Sequence, residues 1–495
     1  MSPLHLALDL GAGSGRAVLG GLSPDGLLLH EAHRFRYDPR RVDGHLRWDT
    51  ARLTAGLRAG LAQAAGEAAR LGRPLASVGV DSWGVDYGLV DAEDRLVEEP
   101  ICYRDERTGD VMAQVFARVP RDELFALTGI QVLALNTLFQ LAAHVREGLP
   151  PRAARLLLIP DLCHNLLCGA SSTELTNAST TQMLRADRTG WNHELLDRLA
   201  LPRGLMPAIV PAGTPLGALR KEWKDACGVG AIQVLAPATH DTGSAVAGTP
   251  LAPGWAYISS GTWSLLGIET DAPLINADVA RANFTNEAGV FGTTRFLKNV
   301  MGLWILESCR REWDRRGGAI PYDELLGRAA AVAGFAGLVC PDDRRFFNPP
   351  SMIEALRASL AEQGRPAPDD PVLLTRVVLD SLALRYASLV RTIETLTGRL
   401  VPGIHIVGGG SLNGYLNQAT ADAAGRPVVA GPAEATAIGN LAMQAIASGE
   451  IGSLADARRL LAGHLPLRRF EPRDVDRWSR AALEYEQIER QASLA

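Results

Sequence analysis

Residues 4–21, LHLALDLGAGSGRAVLGG, decide the fold of this 495-residue chain. An apolar run over residues 4–10 precedes the glycine-rich segment GAGSGR, residues 11–16, and a second apolar run follows over residues 17–21. This order predicts two strands joined by a turn whose bare backbone N–H groups suit phosphate oxygens. A purely structural hairpin is the alternative that these residues leave open.

A dinucleotide fingerprint, G-x-G-x-x-G, is the competing interpretation of the same glycines. It fails because Arg16 occupies the third glycine position and because a strand, rather than a helix, is predicted to follow. The chain also contains no Gly-Lys pair, which excludes a Walker A loop. If a nucleotide binds, another device must hold its phosphates.

The same design returns in the middle of the chain, after a linker. The segment GTPLAPG, residues 248–254, contains two prolines and two glycines and predicts a domain boundary. Residues 255–268, WAYISSGTWSLLGI, then repeat the order of strand, turn of glycine and hydroxyl residues, and strand. We therefore predict two domains, each opening with a hairpin that can donate N–H and O–H groups to phosphate.

A carboxylate stands at a predicted strand-to-helix turn in the segment THDTGSA, residues 239–245. The apolar run IQVLA, residues 232–236, precedes this segment and predicts a buried strand. Asp241 therefore lies where a strand ends and a cleft is expected. Aspartate suits phosphoryl transfer, because a loose transition state asks its base mainly to orient a hydroxyl and to take the proton late. The alternative is that Asp241 only caps the following helix.

Three further segments carry candidates for ligand contact. DSWGVDYG, residues 81–88, is typical of a loop that grips a polar ligand, although its indole more often packs than binds. RFLKNVMGLW, residues 295–304, predicts the start of a helix from which Lys298 and Asn299 can reach a ligand. GGGS, residues 408–411, follows a predicted strand and lets adenosine or phosphate approach the backbone, with a tight turn as the alternative.

Composition excludes several classes of protein. Apolar residues make up 47% and charged residues 21%, as in ordinary globular proteins, and the net charge of −5 argues against a nucleic-acid partner. The six cysteines form no Cys-x-x-Cys pair, so we predict reduced, mostly buried thiols and no zinc site. No signal-peptide pattern and no apolar run of about 18 residues is present, so we expect a cytoplasmic protein without a membrane partner.

Four segments, residues 9–16, 239–245, 259–264 and 406–413, resemble in their order the sugar kinases of the FGGY family. That family has two domains of the actin and ribonuclease-H-like type, with ATP and sugar bound in the cleft between them. The resemblance therefore implies an α/β protein with two actin-like (ribonuclease-H-like) ATPase domains and an active site in the interdomain cleft.

Five more segments resemble one branch of that family, whose substrate is L-rhamnulose. They are DSWGVD (81–86), YRDERT (103–108), TNASTTQ (176–182), LKNVMGLW (297–304) and GPAEAT (431–436). This resemblance implies transfer of the ATP γ-phosphate to the 1-hydroxyl of L-rhamnulose in rhamnose breakdown. Another ketose, such as L-fuculose, L-ribulose or xylulose, stays open as an alternative, as does an actin-like ATPase that transfers phosphate to no sugar.

By position, the resemblance also implies roles for individual residues. Asp241 would accept the proton, and Asp9 and Asp241 would together place hydrated Mg²⁺. The residues implied to hold the sugar are Gly84, His240, Asp241, Thr242 and Asn299. The residues implied to hold ATP are Ala12, Gly13, Ser14, Gly15, Arg16, Thr262, Glu307 and Gly409. Glu307 stands where the family has Gln, so its charge must face away from the phosphates or pair with an arginine.

The resemblance divides the chain into three segments. Residues 1–247 would form the N-terminal kinase domain, which binds sugar and phosphate, and residues 255–450 the C-terminal domain, which binds the nucleotide. Residues 451–495 would form a C-terminal helical extension. The expected partner is a small-molecule ketose, and the sequence is silent on the oligomeric state.

Overall fold

The computed structural model describes residues 2–24, 26–318 and 320–494, with residues 493 and 494 described by their backbone alone. The strands are β1 (Leu4–Gly11), β2 (Ser14–Ser23), β3 (Gly26–Arg36), β4 (Arg40–Val42), β5 (His45–Arg47), β6 (Leu75–Ser82), β7 (Tyr87–Val90), β8 (Arg155–Leu158), β9 (Ser172–Glu174), β10 (Ala208–Val210), β11 (Thr214–Ala218), β12 (Gln233–Ala236), β13 (Ala256–Ser260), β14 (Trp263–Thr270), β15 (Thr285–Ala288), β16 (Thr294–Met301), β17 (Ile404–Val407), β18 (Val428–Ala430) and β19 (Arg468–Phe470).

The helices occupy most of the chain between these strands. They are α1 (Thr50–Arg70), α2 (Val111–Arg118), α3 (Arg121–Thr128), α4 (Thr137–Glu147), α5 (Ile159–Cys168), α6 (Leu175–Ala178), α7 (His193–Arg198), α8 (Lys221–Cys227), α9 (Asp241–Ala247), α10 (Ala277–Ala282), α11 (Trp304–Arg315), α12 (Tyr322–Ala331), α13 (Met352–Glu362), α14 (Pro371–Thr397), α15 (Gly414–Ala424), α16 (Ala435–Ala447), α17 (Leu454–His464) and α18 (Val475–Leu494).

The chain forms two compact units that are discontinuous in sequence. Unit 1 comprises Met1–Pro250, Glu269–Phe296 and Ala435–His464, and unit 2 comprises Leu251–Ile268, Leu297–Glu434 and Leu465–Ala495. These units differ from the contiguous segments predicted from the sequence. The cause is local packing: α16 belongs to unit 1 because its apolar face is buried against β1 and β2 of that unit.

Unit 1 is built on a six-stranded sheet in the order β11-β12-β6-β1-β2-β3. The predicted hairpin is present, since β1 runs antiparallel to β2, and β1 also runs parallel to β6. Leu6 and Leu8 of β1 join a core with Leu57 of α1. Ala7, between them, packs with Leu441 of α16. Because successive residues of a strand point to opposite faces, α1 and α16 cover the two faces of this sheet.

Unit 2 contains the second predicted hairpin, β13 and β14, which pair antiparallel. β17 runs parallel to β13, β18 parallel to β17, and β19 antiparallel to β18. The long helix α14 begins as its sequence dictates, because the Asp370 side chain accepts hydrogen bonds from the amides of Val372 and Leu373. Gly398 ends it in the left-handed conformation, at φ 66°.

Two sequence-based expectations about secondary structure are wrong. Residues 294–301 form strand β16 rather than the start of a helix, and the helix α11 begins only at Trp304. The apolar residues 296, 297, 300 and 301 have helical spacing, and burial in the tertiary structure selects the strand instead. The C-terminal extension is not only helical, because β19 lies between α17 and α18 and extends the sheet beyond β18.

The cysteines are reduced and mostly buried, as the sequence predicts. All six cysteines are free, five of them are buried, and burial raises the pKa of the Cys163 thiol to about 12. Within residues 2–24, 26–318 and 320–494, no helix combines the length and the apolar character that a bilayer crossing needs.

Candidate active site

Three charged side chains lie in one row across β2, β1 and β6 of unit 1. Asp9 stands directly opposite Arg16 on β2 and Asp81 on β6. Residues opposite one another in neighbouring strands point to the same face, here the face that α16 covers. Arg16, which follows Gly15 at the start of β2, donates from Nη2 to Asp9 Oδ2 at 2.5 Å. The sheet register thus sets a carboxylate pair beside one guanidinium.

Asp81 is the most buried member of this row. Asn440 on α16 donates from Nδ2 to its Oδ2 at 2.5 Å, while Oδ1 is buried and has no hydrogen-bond partner among the described residues. Burial, and after it the negative charge of Asp9, raises the pKa of Asp81 well above its ordinary value. Sequence reasoning placed Asp81 in a ligand loop, and the structure places it at the end of β6 instead.

The tip of the β1–β2 hairpin is partly exposed. Ala12 and Ser14 are exposed, and Gly13 between them has φ 125°, a conformation that favours glycine. The Tyr37 hydroxyl donates to the Gly11 carbonyl at 2.5 Å and to the Ser14 carbonyl at 3.1 Å, so the turn is held from below. Gly13 is buried, its amide donates to the Gly11 carbonyl at 2.7 Å, and its carbonyl accepts from the Tyr37 amide at 3.2 Å. The tip is therefore a fixed turn whose exposed residues are Ala12 and Ser14.

Asp241 stands at the first position of α9, immediately after the turn that follows β12. Its Oδ1 accepts from the Thr242 amide at 2.5 Å and from the Thr242 hydroxyl at 3.2 Å. Its Oδ2 has no partner among the described residues, and the side chain is 32% exposed. Burial raises the pKa of Asp241, the neighbouring His240 lowers it, and the charge of Asp9 raises it further. Asp241 is not the N-cap of α9, because His240 occupies that position and no side chain caps the helix. One oxygen of Asp241 thus accepts from Thr242, and the other remains available.

A buried ion cluster surrounds His240. Its Nε2 lies 3.5 Å from Asp241 Oδ1, and its Nδ1 lies 3.0 Å from Arg295 Nη2 and 3.4 Å from Glu287 Oε2. Arg295 is fully buried, and its Nη1 lies 3.1 Å from Glu287 Oε2. Arg188 lies nearby, where burial and then the charge of Arg295 lower its pKa to about 10. His240 therefore reaches Asp241 with one nitrogen and a buried arginine with the other.

Glu174, at the end of β9, fixes the turn that carries His240. The Thr239 amide donates to Glu174 Oε2 at 2.8 Å, and the Thr176 amide donates to Oε1 at 2.9 Å. The Thr176 hydroxyl lies 3.2 Å from the His240 amide, which donates to it. Sequence reasoning missed both Glu174 and Arg295. A charged residue within an apolar or threonine-rich segment was the only signal that could have identified them.

The buried carboxylate of Asp86 holds the loop after β6 through hydrogen bonds, and the Trp83 indole is one of its donors. Trp48 and Trp83 donate from Nε1 to Asp86 Oδ2 at 2.7 and 3.0 Å, and Tyr103 donates from its amide at 3.1 Å. Gln140 donates from Nε2 to Oδ1 at 2.9 Å. The indole therefore packs, as its alternative interpretation held, and the loop backbone is held rigidly. Burial raises the pKa of Asp86 to about 6.

The raised pKa predicts how stability depends on pH. Between about pH 4 and pH 6 the folded protein keeps a proton on Asp86 that the unfolded chain has lost, so this group lowers stability as the pH rises. A shift of about two pKa units corresponds to about 3 kcal/mol. We expect the free energy of unfolding of the wild type, relative to Asp86→Asn, to fall by about that amount between pH 4 and pH 7. Urea denaturation across this range measures it, and a constant or rising difference contradicts it.

Gly84, a predicted sugar-binding residue, lies in the loop that Asp86 holds. A Cβ at this position would come within 2.9 Å of the Thr180 hydroxyl oxygen. Thr180 belongs to the threonine-rich segment that contains Thr176. The loop backbone and this segment are therefore in close contact, and a larger residue at this position would have to displace the Thr180 side chain.

In unit 2, the triple glycine after β17 packs against the β13–β14 hairpin. A Cβ on Gly408 would lie 2.8 Å from the Ser260 carbonyl oxygen, and a Cβ on Gly410 would lie 2.0 Å from Ser260 Oγ. Gly409 is exposed and has no atom within 4 Å of its added Cβ. The outer glycines are therefore required by the turn itself, whereas the central one leaves open space. Thr262, at the tip of the hairpin, is exposed as well.

Helix α11 begins beside this hairpin. The Trp304 amide donates to the Thr262 carbonyl at 3.1 Å. Glu307, in the first turn of α11, accepts from Arg310 Nη1 at 2.7 Å, so its charge is paired with an arginine. These two residues and Arg311 line a cavity of about 420 Å³. Lys298 and Asn299 lie in unit 2 on β16, half-buried.

The carboxylates of unit 1 suit a hydrated divalent cation. Asp81 Oδ1 is a buried oxygen without a partner, and the charge of Asp9 raises the pKa of both Asp81 and Asp241. A cation would relieve that repulsion, and Mg²⁺ needs only one or two carboxylates because it keeps several waters. Among the described residues, no group of three or more His, Cys, Asp or Glu forms a ready-made metal site.

Comparison with known proteins defines the class of protein. The N-terminal domain model of the FGGY family of carbohydrate kinases matches residues 4–248, and the C-terminal domain model matches residues 256–448. The chain belongs to this family, so it is a carbohydrate kinase, an enzyme that uses ATP as phosphate donor and acts on a small sugar. The family and the fold class inferred from the sequence are confirmed.

Individual proteins are similar to this chain over nearly its whole length. The chain is 41% identical over 488 residues to rhamnulokinase of Bacteroides thetaiotaomicron, which covers 98% of this chain and 99% of that protein. It is 44% identical over 473 residues to rhamnulokinase of Pectobacterium carotovorum, and the match covers 94% of this chain and 93% of that protein. Its fold resembles the crystal structure of ligand-bound xylulose kinase of Lactobacillus acidophilus, with a TM-score of 0.81 at 14% identity over 99% and 98% of the two chains.

Proposed function

We propose that this enzyme transfers the γ-phosphate of ATP to the 1-hydroxyl of L-rhamnulose, in the cytoplasm, as a step of L-rhamnose breakdown. Two relatives named rhamnulokinase, each more than 40% identical over nearly the whole chain, support this substrate. The structural observation that carries the proposal is the uncommitted Oδ2 of Asp241.

Asp241 is proposed as the proton acceptor. Its Oδ1 is occupied by the Thr242 amide, which fixes the carboxylate, and its Oδ2 is free to accept a hydrogen bond from a sugar hydroxyl. Burial and the charge of Asp9 raise its pKa, which strengthens it as a base relative to an exposed aspartate. The proton of the 1-hydroxyl therefore passes to Oδ2 as the oxygen attacks phosphorus.

The remaining sugar contacts are proposed to come from backbone and side chains near this carboxylate, and from β16. The proposed residues are Gly84, His240, Thr242 and Asn299. The buried Glu174 and Arg295 support this proposal indirectly, because each hydrogen-bonds to the segment that presents His240 and Asp241. A rigid support of this kind lowers the entropy cost of orienting a small polyol.

The nucleotide is proposed to bind the hairpin of unit 1 and the glycine turn of unit 2. The proposed residues are Ala12, Gly13, Ser14, Gly15, Arg16, Thr262, Glu307 and Gly409. The exposed Gly409, with no atom within 4 Å of an added Cβ, and the exposed Ala12 and Ser14 at the hairpin tip support this role. The ion pair of Glu307 with Arg310 removes the objection that a lone carboxylate would repel phosphate.

Asp9 and Asp241 are proposed to hold hydrated Mg²⁺. When bound, the cation would offset the charge on the transferring phosphate oxygens. The chain itself contributes the orientation of the two carboxylates, through the Arg16 guanidinium on Asp9 and the Thr242 amide on Asp241. In terms of the sequence segments, we propose residues 1–247 as the sugar- and phosphate-binding part, and residues 255–450 as the nucleotide-binding part.

One assay tests the proposed function directly. ADP release by the purified full chain is followed with ATP and Mg²⁺ against L-rhamnulose, L-fuculose, L-ribulose, D-xylulose and glycerol. We expect the highest kcat/KM with L-rhamnulose. Preference for another ketose would overturn the substrate and leave the kinase activity standing. ATP consumption that ignores every added sugar would instead indicate an actin-like ATPase.

A further inference from the structure

We propose that Arg295 is a positioning residue that holds the neutral His240 ring with its hydrogen on Nε2, directed at Asp241 and the sugar site. This inference rests on the proposed role of His240 in sugar binding. The geometry that carries it is the approach of Arg295 Nη2 to His240 Nδ1 at 3.0 Å, deep in unit 1.

The chemistry of the two groups leaves one arrangement for that contact. A guanidinium has only donors, so the nitrogen that it approaches must be an acceptor. A neutral imidazole has one acceptor and one N–H group, so an accepting Nδ1 places the hydrogen on Nε2. The Nε2–H group then lies on the side of Asp241, whose Oδ1 is 3.5 Å away. His240 therefore presents a donor to that side.

Glu287 is the competitor for the same nitrogen. Its Oε2 lies 3.4 Å from His240 Nδ1, and an acceptor there would favour a hydrogen on Nδ1. Arg295 is closer to Nδ1, at 3.0 Å, and its Nη1 faces the same Glu287 oxygen at 3.1 Å. The Glu287 carboxylate therefore forms an ion pair with the Arg295 guanidinium, and Arg295 Nη2 donates to His240 Nδ1.

Arg295 itself is held in place by its surroundings. It is fully buried, and its Nε donates to the Ala288 carbonyl at 3.0 Å. Arg188 lies close enough that the charge of Arg295 lowers the Arg188 pKa. Arg188 donates to the Thr293 carbonyl at 3.0 Å and to Thr294 Oγ1 at 2.6 Å. A planar guanidinium with several fixed donors holds the imidazole in one orientation, which the point charge of a lysine does not.

The consequence for the reaction is a division of hydrogen-bonding roles. The free oxygen of Asp241 accepts from the hydroxyl that is to react, and His240 Nε2–H donates to a neighbouring oxygen of the ketose. A sugar oxygen with no proton to give, such as a carbonyl, fits a donor of this kind. With the hydrogen on Nδ1, His240 would offer an acceptor instead, and that oxygen would lose its partner.

Nuclear magnetic resonance of the wild-type chain gives the first test. The protein is labelled with ¹⁵N-histidine, and two-bond proton–nitrogen correlations are recorded at about pH 8, where an ordinary histidine is neutral. The signal of His240, one of ten histidines, is assigned by its absence in His240→Gln. We expect the pattern of the Nε2–H tautomer. The pattern of the Nδ1–H tautomer, or an averaged pattern of both, overturns the proposal.

Three variants then identify the cause. Arg295→Met should shift His240 to the Nδ1–H tautomer, with Glu287 as acceptor, and Arg188 remains to balance the charge of Glu287. Arg188→Met is the matched control, since it removes a half-buried arginine near Arg295 that does not contact His240, and the Nε2–H pattern should persist. Glu287→Gln should also keep it. A tautomer that changes in Glu287→Gln but not in Arg295→Met overturns the proposal. If Arg295→Met does not fold, the tautomer seen in the wild-type and Glu287→Gln spectra tests the proposal instead.

Kinetics separates this inference from the proposed function. We expect Arg295→Met to raise the KM for the ketose about ten-fold, the effect of one lost hydrogen bond of about 1.4 kcal/mol, with the KM for ATP changed less than about two-fold. An equal rise in both KM values contradicts a positioning role toward the sugar. If no ketose is phosphorylated but the Nε2–H tautomer is found, the proposed function fails and the arrangement of Arg295 and His240 stands.

Discussion

Replacing Asp241 by asparagine is expected to lower kcat by a factor of about 10² to 10⁴ while the protein folds normally. That factor is the usual contribution of a general base. Asparagine keeps an oxygen for the Thr242 amide, so the start of α9 is preserved. It cannot take a proton, so the proposed acceptor of the 1-hydroxyl proton is removed. The rate of ADP release at saturating ketose measures the loss.

The stability of this variant is the necessary companion measurement. Because burial raises the pKa of Asp241, the charged form is unfavourable in the folded state, and the neutral asparagine should not lower the melting temperature. Asp278→Asn provides a matched control, because Asp278 also stands in the first turn of a helix, α10, but is exposed and pairs with Arg281. Its kcat should equal that of the wild type. Near wild-type turnover in Asp241→Asn would remove Asp241 from the catalytic role.

Replacing Gly439 by alanine is expected to destabilise the protein by about 3 kcal/mol, at the upper end of the range for overpacking. A Cβ at this position of α16 would lie 1.8 Å from the Ser244 carbonyl oxygen and 2.8 Å from the Gly248 amide nitrogen. Both atoms belong to the backbone of α9 and its C-cap, so no side chain can rotate away. The two helices must separate, and α9 carries Asp241 at its first position.

Gly66 provides the matched control for this prediction. Gly66 lies within α1, is exposed, and has no atom within 4 Å of an added Cβ. Gly66→Ala should therefore stabilise the protein by about 0.4–1 kcal/mol, because alanine loses less backbone entropy on folding. Urea denaturation of both variants compares one chemical change in two environments. Equal effects at Gly439 and Gly66 would contradict the close contact between α9 and α16.

Local signals in the sequence were sufficient for several parts of the fold. The two hairpins were predictable because each has two apolar runs around a glycine-rich turn, and β1 with β2 and β13 with β14 pair accordingly. Helix α14 was predictable because Asp370, Pro371 and Gly398 mark its ends. The position of Asp241 at a strand-to-helix turn followed from the apolar run before it and the small residues after it. Such features depend on residues within a few positions of one another.

Other features depended on partners far away in the sequence. Strand β16 has apolar residues at a spacing that also fits a helix, and only its tertiary surroundings choose the strand. Arg295 therefore could not be recognised as a partner of His240, since the two residues are 55 positions apart. Glu174 and Thr239 are 65 positions apart, and their hydrogen bond is equally invisible in the sequence.

The sequence by itself determined the family, the two hairpins and the position of the candidate base at a strand-to-helix turn. Those properties are written in contiguous motifs, whose residue types fix local backbone conformation. Only the tertiary structure decided that Asp9, Arg16 and Asp81 share one face of a sheet, and that Asp241 keeps one oxygen free. Strand register and helix packing set these relations, and both arise from burial among residues that are distant in the chain.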